Sequence, residues 1–105
     1  MKALAIMRPA REGDLRAEVM AAANDELAAL WELYADGVVR EMYSPGGLGA
    51  LLILEVESLQ EARDRLSRLP LIKRRLMDLE VLELAPFRAL EMLFREALDD
   101  ESGHS

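Results

Sequence analysis

Glu55-Val56-Glu57-Ser58-Leu59-Gln60-Glu61-Ala62-Arg63-Asp64-Arg65-Leu66-Ser67-Arg68-Leu69-Pro70-Leu71, followed shortly by Leu79-Glu80-Val81-Leu82-Glu83-Leu84, reads as strand, capped helix, stop and strand. Ser58 and Glu61 form a capping box: the hydroxyl takes the amide of the third helical residue and the glutamate reaches back to the serine amide. Leu59, Ala62, Leu66 and Leu69 keep one face of this helix inward. Pro70 stops it, because proline has no amide hydrogen and disfavours helix in the preceding residue. After the basic connector Lys73-Arg74-Arg75, a strand is predicted over about Asp78 to Leu84.

Working outward, Lys2 to Met7 is a short apolar run closed by Arg8-Pro9, which suits a strand buried on both faces. A segment without Gly or Pro separates Gly13-Asp14 from Gly37, so a long first helix is predicted, with Asp14 as N-cap and Gly37 as C-cap. Val38 to Tyr43 is a strand, Ser44-Pro45-Gly46-Gly47 reverses the chain, and Leu48 to Glu57 returns. Pro86 suits the first turn of a third helix with Phe87, Leu90, Leu93, Phe94 and Ala97 on one face. The order is β-α-β-β-α-β plus a terminal helix: an α+β, ferredoxin-like arrangement with a four-stranded antiparallel sheet. One domain over 1–98, including the terminal helix 86–98, and a disordered tail over 99–105 are expected.

Both helices of such a fold cover one sheet face, yet Leu51-Leu52-Ile53-Leu54 is apolar on both faces. A second copy packed sheet to sheet covers the other face most economically, so a homodimer or higher homo-oligomer is expected.

The composition sets the functional bounds. The 105 residues are 51% hydrophobic, enough for one domain with little surplus core. A net charge of -7 argues against a phosphate-binding surface and hence against nucleic acid. The chain contains no cysteine, which excludes disulfides, thiolate metal sites and cysteine nucleophiles. Ala3 to Met7 is too short for a signal-peptide core or a membrane span, so a soluble, cytoplasmic protein without a membrane partner is expected. No His-carboxylate spacing suggests a metal, and neither Gly-x-Ser-x-Gly nor a dinucleotide fingerprint is present. The glycines of Ser44 to Gly49 lack the lysine and hydroxyl of a phosphate-cradling loop. No cofactor is expected.

Glu55-Val56-Glu57-Ser58, Leu66-Ser67-Arg68-Leu69-Pro70-Leu71, the strand from Leu79 to Leu84 with Pro86-Phe87, and Asp36-Gly37 before the second strand together resemble the dimeric α/β-barrel superfamily, and within it the muconolactone isomerase-like and YCII-like proteins. The resemblance spans residues 2 to 87. It implies a dimeric α/β barrel and a small-molecule ligand. Members of the superfamily isomerise lactones, oxidise or cyclise aromatic compounds without cofactors, or have no assigned activity, so the resemblance carries the fold further than the reaction. This chain also departs from the isomerases, which place a lysine after the Asp-Glu pair matching Asp25-Glu26, where Leu27 stands here, and an Arg-His pair where Arg40-Glu41 stands. The single histidine, His104, lies in the tail.

Glu26 is the residue that the sequence itself singles out. Helical spacing places it with Val19, Leu30 and Leu33 inside an apolar arc, while Asp25, Glu32 and Asp36 fall on the opposite side. A carboxylate drawn into an apolar cavity has its charged form disfavoured and becomes suited to proton transfer near neutral pH. The alternative places Glu26 at the margin of the arc, reaching water or pairing with Arg40. On the second strand, period-two alternation sets Arg40 with Met42 on one face and Glu41 with Tyr43 on the other. If Arg40 faces the helices, it can hold a substrate carboxylate or enolate; if Glu41 and Tyr43 do, the site is a carboxylate with a phenol donor. Trp31 and Tyr34 share a face with Leu27 and Leu30 and are expected to pack in the core, or to line an aromatic-binding cavity.

The resulting expectation is a cofactor-free isomerase acting on a lactone or aromatic-derived acid. Glu26 and Arg40 would be catalytic, and Trp31, Tyr34, Glu41 and Tyr43 would bind substrate. The alternative is a non-catalytic ligand-binding or self-assembly module.

Overall fold

Four antiparallel strands and three helices, followed by a helical stretch at 89–94, make up a computed structural model that describes residues 1–94. They are β1 (Lys2–Pro9), α1 (Arg16–Ala35), β2 (Val39–Tyr43), β3 (Ala50–Glu55), α2 (Leu59–Leu66), α3 (Pro70–Lys73) and β4 (Met77–Glu83). The sheet order is β2-β3-β1-β4. This is the α+β ferredoxin-like arrangement expected from the sequence, with β1 pairing with β3 on one side and β4 on the other. Residues 89–94 are helical, within the predicted terminal helix; Ala97, His104 and the tail 99–105 lie outside the described residues.

The register divides the sheet into two faces. Ala3, Ala5 and Met7 of β1, Leu52 and Leu54 of β3, and Met77 and Val81 of β4 are buried. They meet the buried Ala22, Glu26 and Leu33 of α1 and Ala62 and Leu66 of α2 in one core. Alanines at the middle of β1 leave room for the helices to lie close over the sheet. The other face carries Leu4, Ile6, Leu51, Ile53 and Leu82, edged by Lys2, Arg8, Glu41, Tyr43 and Glu80. No described element of the chain covers it, and Arg8 and Glu80 form an ion pair there at 3.4 Å.

The helix ends show how local chemistry fixes these layers. At α1, Gly37 has φ +80°, its amide donates to Tyr34 O, and the Val38 amide donates to Leu33 O. This closes a Schellman motif whose two apolar residues, Leu33 and Val38, are both buried. The predicted glycine stop is therefore present, whereas the start shifts: α1 begins at Arg16 after Leu15, and Asp14 Oδ1 accepts from the Arg16 amide. At α2, Ser58 Oγ accepts the Glu61 amide at 3.0 Å as the capping box requires. The return bond goes one residue further back, with Glu61 Oε2 accepting the Glu57 amide at 2.7 Å.

Pro70 corrects a sequence expectation. It does not simply stop α2, which ends at Leu66; it also opens α3 as that helix's first residue. A proline's fixed φ and missing amide hydrogen cost nothing at the first helical position, so it begins a helix as readily as it ends one. Lys73 accordingly belongs to α3, and the basic run is only partly a connector. Arg75 then takes φ +58°, with its amide donating to Ile72 O and the Leu76 amide to Leu71 O, a second Schellman closure built without glycine.

Candidate active site

Glu26 lies on the core-facing arc of α1, flanked on the same arc by Ala22, Leu30 and Leu33 at helical spacing. Only 4% of the residue is exposed. Its Oε1 accepts a hydrogen bond from the Leu71 amide at 3.0 Å, near the start of α3, and its Oε2 is buried without a hydrogen-bond partner. Burial raises its pKa above the ordinary 4.5; the Leu71 hydrogen bond opposes that rise without cancelling it. Glu26 is therefore neither at the margin of the arc nor paired with Arg40.

The carboxyl group lines a cavity of about 250 Å³ at the end of the sheet. Val19, Ala23, Leu27 and Leu30 of α1 form one wall, and Met7, Met77 and Leu71 form the floor and far side. The β2–β3 connection closes it through Gly47, Leu48 and Gly49, continuing into Ala50. Glu26 is the one polar side chain among these residues. Gly49 has φ +124°, and a Cβ there would collide with the Met7 carbonyl oxygen, so glycine is what lets this loop press against β1.

The remaining sequence candidates lie elsewhere. Arg40 occupies a register irregularity between Val39 and Glu41, and its Nε donates to the Gly37 carbonyl at 2.9 Å. That irregularity separates the strand's faces differently from plain alternation. Val39 pairs with Leu54 on the helix-covered side, whereas Glu41 pairs with Ile53 and Tyr43 with Leu51 on the uncovered side. There the Tyr43 hydroxyl donates to Glu41 Oε1 at 2.5 Å, and this bond, with the nearby negative charge, raises the phenol's pKa above 10.0. Neither Arg40 nor the Glu41–Tyr43 pair lines the cavity that holds Glu26.

Trp31 and Tyr34 do not pack in the core, contrary to the expectation for them. Trp31 is 64% exposed and Tyr34 46%, with ring centroids 5.7 Å apart. The helix advances about 100° per residue, so Leu27, Trp31 and Tyr34 lie roughly a quarter turn or more from Glu26, on the outer flank of α1. Leu27 is mostly exposed and reaches only the cavity rim, while Leu30 sits closer to the core.

Sequence reasoning missed the Leu71 amide, the glycine-bearing wall and the methionines of the floor. Pro70 was the available signal for the first: a proline opening a helix leaves the next amides facing outward from its N-terminus, ready for an acceptor. Three or more His, Cys, Asp or Glu side chains arranged to hold a metal ion do not occur among the described residues. No described helix is long and apolar enough to cross a membrane.

No protein-family model matches the sequence, and no curated protein matches it. Solved structures do. The chain is similar to muconolactone isomerase, with a TM-score of 0.65 and 25% identity over 83% of this chain and 93% of that one. It is also similar in fold to the 5-chloro-2-hydroxyhydroquinone dehydrochlorinase TftG of Burkholderia phenoliruptrix AC1100, solved with 2,5-dihydroxybenzoquinone, with a TM-score of 0.59 and 23% identity over 79% of this chain and 93% of that one. With its β2-β3-β1-β4 sheet and two crossover helical segments, the chain has an α+β fold similar to that of muconolactone isomerase.

Proposed function

We propose that this protein is a cofactor-free isomerase that moves a proton on a small lactone or related carbonyl compound, with Glu26 as both base and acid. The observation that carries the proposal is a buried carboxyl group with one oxygen unpartnered, at the wall of an otherwise apolar cavity. Leu71 holds Oε1 as an acceptor, so the proton of the neutral acid belongs on Oε2. In its charged form Glu26 takes a proton from the carbon next to the substrate carbonyl; that C–H bond breaks and its electron pair forms an enolate. Glu26 then delivers a proton, the one it took or one exchanged with solvent, either back to that carbon or to the carbon two positions further along; in the second case the carbonyl re-forms and the carbon–carbon double bond shifts. Glu26 is regenerated, and no oxidant or second reactant is consumed. Burial, by raising the pKa, brings the carboxyl closer to the range in which both forms are populated.

The uncovered sheet face, with Leu4, Ile6, Leu51 and Ile53 at its centre, supports a homodimer packed face to face. Tyr43 and Glu41 would then lie near the interface. The isomerase proposal does not use them, or Arg40, as partners of Glu26.

A second reading, a non-catalytic assembly module, is favoured by the terminal segment. Phe87, Leu90, Leu93 and Phe94 are all more than half exposed. Truncation after Pro86 separates the readings: loss of the oligomer with ligand binding intact makes the segment an assembly element.

The isomerase reading is tested by thermal shift with lactones, phenols and aromatic acids on the wild type and Glu26→Gln, since a ligand that binds the native state raises apparent stability. A shift with a lactone, kept in Glu26→Gln while isomerisation is lost, supports the site. No shift with any compound removes it.

A further inference from the structure

Among the described residues, the cavity around Glu26 is lined by no positive charge. No lysine, arginine or histidine of the described residues lines it. Arg74, on the turn after α3, is directed to Asp25 on α1 at 3.7 Å, where both side chains are at least half exposed. Arg11, at the approach to α1, is engaged by Glu18 at 2.8 Å. Arg40 donates to the Gly37 carbonyl and does not line the cavity. A ligand carboxylate entering here would leave water, meet a wall of aliphatic and thioether groups, and sit beside Glu26 without a counter-ion. Buried charges are tolerated only when paired, so this wall selects against them.

What the cavity offers instead is a single polar contact. Glu26 Oε2 is the one buried side-chain oxygen or nitrogen lacking a partner among the described residues, and a carboxyl can donate a hydrogen bond only in its protonated form. The volume of about 250 Å³ compares with the cavity of about 150 Å³ that takes benzene, which scales to a ligand of roughly ten non-hydrogen atoms. We infer that the cavity is specific for uncharged carbonyl compounds of this size, held by apolar contact over most of the ligand with the carbonyl group beside Glu26, and that it rejects their carboxylate counterparts. The inference rests on the reading of Glu26 as the working group of the site, and it narrows the substrate class to neutral lactones, ketones and amides.

The test uses three probes with the same number of non-hydrogen atoms: acetophenone, benzamide and benzoate. Each is titrated at neutral pH into the isotopically labelled full chain, with binding read from the amide signals of Leu30, Leu48 and Leu71. Acetophenone and benzamide are expected to shift these signals with dissociation constants at least about tenfold below that of benzoate. Benzoate binding at the cavity as tightly as acetophenone overturns the inference, and so does the failure of all three to perturb these signals at millimolar concentration. Glu26→Gln is nearly isosteric and leaves the apolar lining in place, so acetophenone binding is expected to survive even where proton transfer is lost. The charge selectivity and the isomerase reading therefore fail separately.

Discussion

Glu26 Oε1 accepts the Leu71 amide at 3.0 Å across two helices, so the carboxyl that lines the cavity also caps the first turn of α3. The two roles set opposite demands. The cap favours a strong acceptor, while burial disfavours the charge that would make it strongest.

The pH dependence follows from that opposition. The folded-state pKa of Glu26 lies above 4.5, so between 4.5 and that raised value the native protein holds a proton that the unfolded chain has lost. Stability therefore falls as pH rises through this window, and the contribution is fully present only below 4.5. Glu26→Gln keeps an oxygen acceptor for Leu71 and cannot ionise. Urea melts of both proteins across acidic to neutral pH should show the wild type losing stability relative to Glu26→Gln as pH rises; parallel curves would contradict the burial account.

Arg75 holds φ +58° at the position where a Schellman closure ordinarily takes glycine. A left-handed backbone costs a residue with a side chain about 1–2 kcal/mol. Arg75 is exposed, so little packing offsets this. Arg75→Gly is expected to raise unfolding free energy by about 1 kcal/mol, as measured by denaturant titration.

Gly49 is the converse case. Its φ of +124° and the backbone of Met7 beside it leave no room for a side chain. Gly49→Ala should cost about 2 kcal/mol or more, because neither the strained backbone nor a backbone neighbour relaxes cheaply. Since Gly49 walls the cavity, the same substitution should weaken acetophenone binding at temperatures where the variant remains folded. Gly47, with open space around its Cα, should accept alanine with much smaller loss.

Trp31 lies in water on the outer flank of α1, and Phe87, Leu90, Leu93 and Phe94 are exposed as well. Truncation after Pro86 should leave the far-ultraviolet spectrum of the sheet and α1 intact while reducing the oligomer seen in sedimentation, since none of the described residues it removes belongs to the core. A truncated chain that keeps the full-length oligomer would assign assembly to the sheet face alone.

The element order, the two crossovers and the Glu26 position were legible because each rests on a local rule: Ser58 and Glu61 around a helix start, Gly37 after a helix, a continuous apolar run through Leu51 to Leu54, and Glu26 spaced from Val19 and Leu33. The rings were not. Apolar residues surround α1 on more than one side, with Met20, Leu27 and Trp31 exposed while Ala22 is fully buried. Large side chains thus drew the apparent arc away from its true centre, where small alanines make the closest approach to the sheet. The register irregularity at Arg40 was equally silent, because nothing in Val39-Arg40-Glu41 distinguishes a bulged strand from a regular one.

The most direct measurement is proton exchange on a neutral ligand. α-Angelica lactone, an uncharged lactone with its double bond out of conjugation, is incubated in deuterium oxide with the wild type and with Glu26→Gln, and both deuterium uptake next to the carbonyl and the conjugated isomer are followed by nuclear magnetic resonance. The account predicts that the wild type accelerates both, and that Glu26→Gln loses about 10²–10⁴-fold of that acceleration while remaining folded. Equal rates for the two proteins would contradict it.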